Sequence, residues 1–535
     1  MKRILLVLVL PFFCFISSAQ LGSTIYVNGK NILGPCGDTL TLRGVNYAPY
    51  NWGWSPTQLR ISNIAQSGAN CVRLVWYKNP ASGTPTTVYT NLTYLDSALS
   101  KCIQNNMIPI VDLHDLTCTN VPANLTTLAT WFIAPGVKSL INKYKHSIIL
   151  NIANECLYVS WASNPTTAQS TFVSTYSAIV NSIRSNGITV PIMIDAPDCG
   201  QSIDVLTAIG PTLQTADPNH NLIFSAHAYW YAYANNDSLT MLTKINNALA
   251  ANIPLVLGEI ANTQDDAQMC QYALNYKALL NICKAKKVGW LAWSWDNDGC
   301  ASRQITTAGS VTSLTTYGQE ILNNSGFGLL TNPPSKSMYL EHDACKISIR
   351  AFHEGLYNSV DHKMNTALLN SGIGTSTLLA DSITLHLKAN TSPYQTIYSK
   401  KLAWQTNGWM DDWLPLGITG TNSFYALCHR NGLETWSSSA QQVRTTLRYD
   451  FTSNANKAMG NNQIYLENGV YGMYSGDVNQ DDVIDVFDYL LMEPDIVNGN
   501  FGYLASDING DGVVDIFDYI LIEINIILGQ GAWHL

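Results

Sequence analysis

Two glutamates sit where a carboxylate is hard to explain by packing alone. Glu155 closes "LNIANE" after the apolar run Ile148–Ile152, and Glu259 stands in "LVLGEI". Charged side chains are rarely buried without a partner, so each is either paired or used in chemistry. Two carboxyl groups in poorly solvated surroundings can hold different protonation states. One keeps its proton and donates it; the other stays ionised and attacks. A nearby cation would hold the ionised one down in pKa, and Arg73 in "CVRLVW" is the candidate for Glu259.

Such groups need elements that bring them together. Up to about residue 330 short apolar runs alternate with helix-period segments. The expected strands are 40–47, 69–76, 107–115, 147–155, 190–198, 222–230, 253–260 and 288–296. Helical periodicity falls between them, as in 93–106 and 270–287. Strands alternating with helices imply a parallel sheet, and eight units in roughly 300 residues fit an α/β fold of the (β/α)8 TIM-barrel type. "TIYVNGKNILGP" reads as a hairpin closing the barrel bottom, with Asn28-Gly29 as its turn. A doubly wound sheet would carry a Gly-rich phosphate turn after its first strand; here that place reads "GVNYAPYNWGW", crowded with aromatics.

In such a barrel the C-terminal strand ends face the active site. Those ends read Asn46, Arg73, His114 with Asp115, Asn154 with Glu155, Asp195, His227 with Tyr229, Glu259, and Trp293 with Trp295. Taken singly, each has a structural explanation at least as good as a functional one. Their recurrence at one end of strand after strand does not. Strands four and seven lie across the mouth from one another, so Glu155 and Glu259 can converge. Two carboxyls flanking one bond is what glycoside hydrolysis requires, one as acid and one as nucleophile or base.

At these residues the sequence resembles a family-five glycoside hydrolase. The likeness runs in order through "LRGVNY", "SGANCVRLVW", "VDLHD", "LNIANE", "IDAPDCGQ", "NLIFSAHAYW", "LVLGEI" and "GWLAWSWD", and is nearest to bacterial endo-β-1,4-mannanases. The resemblance implies Glu155 as acid/base, Glu259 as nucleophile and Asn154 on the sugar 2-hydroxyl. It implies Arg73, His114, His227 and Tyr229 as residues orienting the carboxylates, Trp293 as the stacking platform, and no cofactor for catalysis. The alternatives are an endo-β-1,4-glucanase and a non-catalytic polysaccharide-binding protein on an inactive barrel. Cys118, Cys156 and Trp76 depart from the family pattern. A disulfide between Cys118 and Cys156 across two loops is one expectation, and Trp76 is expected to alter the sugar subsites.

From about residue 345 the pattern turns to period two ("KISIRAF", "SITLHLKA", "SFYALCHR", "TTLRYDF"), which reads as an all-β sandwich over 345–471. The tail, 472–535, writes one acidic motif twice, "DVNQDDVIDVFD" and "DINGDGVVDIFD". Oxygen ligands fall at positions 1, 3, 5, 9 and 12 of a calcium loop: Asp477, Asn479, Asp481, Asp485 and Asp488, then Asp507, Asn509, Asp511, Asp515 and Asp518. Each loop runs into an apolar helical stretch. This small α-helical calcium-loop repeat resembles a dockerin type I module, which implies Ca2+ and a cohesin-like or cell-surface partner. Asp482 stands where the second loop has the turn glycine Gly512. The β unit resembles the spacers that precede such repeats.

Composition bounds the rest. Lys2-Arg3, an apolar run from Ile4 to Ile16 and the small residues that follow read as a secretory leader over 1–20, with the catalytic unit expected over 21–335. Of 12 cysteines, Cys14 falls in the leader and 11 remain, so some disulfides and at least one free thiol are expected. Only 13% of residues are charged and the net charge is −9, against nucleic acid or anionic membrane as partner. With 14 Trp and 27 Tyr, the chain suits a neutral ligand with apolar faces. No stretch after the leader reads as a transmembrane span.

Overall fold

The computed structural model describes residues 24–49, 59–80, 86–229, 237–418, 421–443 and 448–535. The leader, most of the "YAPYNWGW" aromatics and Trp230 lie outside them. Eight parallel strands close a barrel: β1 (Arg43–Tyr47), β2 (Cys71–Trp76), β3 (Ile108–Leu113), β4 (Ile149–Asn151), β5 (Ile192–Asp195), β6 (Leu222–Ala228), β7 (Leu255–Ile260) and β8 (Gly289–Ala292). Each pairs with the next, and β8 returns to β1. Every residue of these strands is buried, which is why they read as continuous apolar runs rather than alternating ones.

Helices cover the outside, among them Leu92–Gln104, Pro165–Ser185 and Tyr276–Lys286. The last begins six residues later than its periodicity suggests, because 265–275 forms a loop closed by the Cys270–Cys300 disulfide. Ile25, Ile32, Leu40 and Leu42 pack with inward residues of the barrel floor, including Ile108, Ile149, Ile223 and Val256. The hairpin therefore plugs the bottom as expected. Its turn is Gly29-Lys30 rather than Asn28-Gly29, since Asn28 pairs with Asn31 and Gly29 takes φ 58°.

Beyond the barrel, a three-stranded and a five-stranded sheet share one apolar core. Ile347, Ile349 and Met410 enter it from the first; Ile383, Leu385, Trp404 and Leu427 enter from the second. The Cys36–Cys345 disulfide joins the barrel's N-terminal segment to this unit across 309 residues of sequence.

The tail forms two helices, Val486–Asn498 and Ile516–Leu528. Each starts with an Asp N-cap and an Asp at N3 in a capping box, and stops at a left-handed glycine (Gly499, Gly529). The tail is bonded to the β unit. Asn431 Nδ2 donates to the carbonyls of Ala505 and Asp507, both at 3.0 Å, and Tyr503 Oη donates to the buried Asp381 at 2.6 Å. Among the described residues, no helix is long and apolar enough to cross a membrane.

Candidate active site

The site is built around Arg73, fully buried on β2. Its Nε donates to Asn151 Oδ1 (2.8 Å); Nη1 donates to Asn46 Oδ1 (3.1 Å) and Glu259 Oε1 (2.7 Å). Nη2 reaches Asn154 Oδ1 (2.7 Å), Asp195 Oδ2 (3.3 Å) and Asp112 Oδ1 (3.0 Å). One guanidinium thus ties together residues from β1, β2, β3, β4, β5 and β7. Burial disfavours its charge, but Asp112, Asp195 and Glu259 overcome that and raise its pKa.

Glu155 does not end a strand. β4 stops at Asn151, and the chain leaves the sheet before Glu155 takes φ 54°. A non-glycine residue pays roughly 1–2 kcal/mol for that conformation. Cys118, Leu157, Asp198 and Cys199 around it are also left-handed. Such clustering is common where a site over-determines its backbone. The Glu155 amide donates to Asp195 Oδ2 at 3.3 Å, and Glu155 Oε1 accepts from His227 Nδ1 at 2.7 Å.

Glu259 accepts from Arg73 on one oxygen and from Tyr229 Oη (2.5 Å) on the other; His227 Nδ1 lies 3.7 Å from its Oε2. One ligand atom from each of Glu155, His227 and Glu259 lies within 4.8 Å of the other two.

The electrostatics separate the two acids. Burial raises the pKa of Glu155, only partly opposed by His227. Burial would raise Glu259 as well, but His227, Arg73, His114 and the Tyr229 hydroxyl together lower it. For His227 burial is outweighed by Glu259, Asp195 and Glu155, which push it up to about 9.

His114 bonds neither glutamate. Its Nδ1 donates to Asp112 Oδ2 (2.7 Å), its Nε2 lies 3.4 Å from Asn154 Nδ2, and its ring stacks on Trp293 at 5.6 Å between centroids. It therefore positions Asn154 and Trp293 rather than the carboxylates. Trp293 itself donates its indole N–H to Asp298.

Other expectations change. Trp76 is fully buried in the barrel core, edge-on to Tyr89. Trp295 is buried too, with Nε1 on Gly309 O at 3.2 Å. Asp115 caps the amides of Lys78 and Asn79, away from both acids. Cys118 pairs with Cys199, not with Cys156. Cys156 is a buried free thiol, 3.2 Å from Leu116 O and 3.3 Å from Asn154 O.

Sequence reasoning passed over Asp112 and Asn151, and gave Asp195 no role. The first two face inward by the two-residue alternation of a strand, a signal present in "VDLHD" and "LNIANE".

The acidic loops of the tail do not gather their carboxylates to one point in this structure. Asp488 accepts from the amides of Val478 (2.7 Å) and Asn479 (3.1 Å); Asp518 does the same with Ile508 (2.8 Å) and Asn509 (3.0 Å). Asp485 and Asp515 cap their helices through Phe487 N and Phe517 N. Asp477 Oδ1 accepts from Asp481 N, and Asp507 Oδ1 from Gly510 N. Asn479 and Asn509 accept from the amides of Asp481 and Asp511.

The model of the family described as cellulase (glycosyl hydrolase family 5) matches residues 29–299. A mannan endo-1,4-beta-mannosidase of Salipaludibacillus agaradhaerens is 27% identical over 276 residues, 50% of this chain and 80% of that protein. One from Cellvibrio japonicus is 26% identical over 325 residues, 58% of this chain and 68% of its own. The catalytic domain of a mannanase from Streptomyces sp. SirexAA-E shares the barrel fold, with TM-score 0.50 at 22% identity, covering 61% of this chain and 97% of that domain.

Proposed function

On the premise that this chain belongs to the cellulase family of glycosyl hydrolases, family 5, we propose that it is a retaining endo-β-1,4-glycanase acting on mannan or glucomannan. That the chain is a glycoside hydrolase follows from the family. The observation that carries the mechanism is the close approach of Glu155 and Glu259, with one oxygen of each inside the 4.8 Å grouping around His227. Carboxyl groups about 5–5.5 Å apart serve double displacement, whereas roughly 6.5–9.5 Å leaves room for an inverting water.

In the first step Glu259 bonds to the anomeric carbon as the glycosidic C–O bond breaks, and Glu155 gives its proton to the departing oxygen. In the second, Glu155 takes a proton from water, whose oxygen displaces Glu259. Arg73 and Tyr229 hold Glu259 ionised and aimed. Asn154, fixed by Arg73, faces the sugar 2-hydroxyl, and Trp293 stacks beneath the ring. Loss of one carboxylate would favour a binding-only protein; here both are present, Glu155 bonded to His227 and Glu259 to Arg73 and Tyr229.

The named activity of the two curated relatives favours mannan over cellulose. Both polymers share the β-1,4 backbone and differ at the 2-hydroxyl, so discrimination rests on the groups around Asn154. The deciding measurement is kcat/KM on pure mannan, glucomannan and soluble cellulose. It should use the whole chain, because Arg43 donates to Asn332 O and Cys36 is joined to Cys345. Mannan is expected to exceed cellulose; the reverse order would replace mannanase by endoglucanase.

We read the β unit as a sandwich serving as spacer, and the chain as exported. The three disulfides suit an oxidising compartment. The tail fits calcium by its donor chemistry: the candidate ligands are all oxygens, and Asp488 and Asp481 are near enough to Asp477 to disfavour its charge. Asp477 is pushed up to about 7 by burial and by Asp488. Asp507 is pushed up to about 6 by burial, Asp518 and Asp511, against the opposing Arg430.

Both loops take left-handed turns at two positions. The second uses glycine at both (Gly510, φ 68°; Gly512, φ 89°), while the first uses Gln480 (φ 60°) and Asp482 (φ 71°). Calorimetric titration of the whole chain should therefore show two calcium sites, the tighter lost in Asp507→Ala and the weaker in Asp477→Ala. Equal sites or no heat would contradict this. The calcium-ordered tail would then present its helices to a cohesin-like or cell-surface partner.

A further inference from the structure

The loop after β8 holds two side chains for which the chemistry above has no use, and both touch groups that it does use. Arg303 is buried, with its guanidinium carbon 4.8 Å above the centre of the Tyr229 ring. The hydroxyl of that ring is bonded to Glu259. Arg303 Nε also lies 3.7 Å from Asp298 Oδ1, and Asp298 accepts the indole N–H of Trp293.

The loop is also fastened by its backbone and by a disulfide. Ser294 N donates to Arg303 O (3.1 Å) and Ile305 N to Ser294 O (2.9 Å), lacing it to the residue beside Trp293. Cys300 N donates to Asp298 Oδ1 at 2.7 Å, and the Cys270–Cys300 disulfide staples it to the loop after β7. A Cβ on Gly299 would lie 2.6 Å from Asp266 Oδ2, so the two loops are packed without slack.

We infer that Arg303 and Asp298 are positioning residues of the active site: Arg303 fixes the tyrosine that holds the nucleophile, and Asp298 fixes the tryptophan beneath the sugar. A cation over an aromatic face is attracted by the ring quadrupole, more strongly when shielded from water. That attraction sets the tilt of Tyr229 and hence the direction of its hydroxyl. The same cation holds Asp298, so nucleophile and sugar platform are aligned by one buried charge. The inference rests on the retaining-glycanase reading above.

The test uses the whole chain and whichever β-1,4 polymer the wild type cleaves best. Arg303→Gln should lower kcat/KM by up to about 100-fold, the scale of a small misplacement of reacting groups. It should also move the acidic limb of the pH–rate profile to higher pH. Arg303→Lys should restore the limb, since the charge returns, but only part of the rate, because an ammonium does not lie flat over a ring. Asp298→Ala should raise KM about tenfold with kcat little changed, as uniform sugar binding is lost.

In a Tyr229→Phe background Arg303→Gln should cost far less than in the wild type, because coupled residues are not additive. Unmoved profiles, or losses that simply add, would overturn the inference. If Arg303→Gln does not fold, the lysine variant and the Asp298→Ala split carry the test. A wild type inactive on every β-1,4 polymer would overturn the functional reading and this inference with it. An active wild type with unmoved variants would overturn this inference alone.

Discussion

Glu259→Ala should abolish turnover, by at least about 10⁴-fold or roughly 5 kcal/mol of barrier, because the variant has no atom to bond the anomeric carbon. Azide should restore part of the rate and yield the α-glycosyl azide, occupying the space the carboxylate left. Glu155→Ala should lose less on substrates whose leaving group needs no proton, and azide should then give the β-azide from the glycosyl-enzyme. Proton NMR of the first wild-type product should show the β-anomer; the α-anomer would exclude double displacement.

The pH profile should be bell-shaped. Activity rises as Glu259, held low by His227 and Arg73, loses its proton; it falls when Glu155, held high by burial, loses its own. The two limbs belong to the interacting pair rather than to either residue alone.

Arg73→Leu should have the largest effect on stability, about 3–5 kcal/mol, since it leaves Asp112, Asp195 and Glu259 buried without their common cation. Calorimetry should show the barrel transition moved sharply down. Arg73→Lys should recover little, because a single ammonium cannot serve acceptors at Asn46, Asn151, Asn154 and Glu259 at once. A transition unchanged in Arg73→Leu would mean that these carboxylates do not depend on it.

The barrel and its two acids were legible because their signals are local. An apolar run of strand length ending in a polar residue can be read one strand at a time, and eight such readings placed Glu155, Glu259, Arg73, His227 and Tyr229 at one mouth. What stayed hidden depends on contacts between distant segments. Nothing near Cys118 distinguishes Cys199 from Cys156 as its partner; the pairing with Cys199 appears only once the loops carrying them are brought together. Trp76 reads as a pocket residue because it ends a strand, yet the helix carrying Tyr89 covers it. Arg303 sits in a loop with no periodicity, and its importance follows from where the Tyr229 ring happens to lie.

The Cys36–Cys345 bridge and the bonds from Asn431 and Tyr503 into the tail leave no slack between the barrel and the C-terminal end. Catalytic units on flexible leashes sweep a volume that grows with linker length, and their local concentration at a fixed target falls accordingly. Among the described residues, barrel, β unit and tail are joined by these bonds rather than by such a leash. Held by its tail, it would point its mouth in one direction and tumble only with whatever holds it, so its reach would be set by the anchor's own mobility.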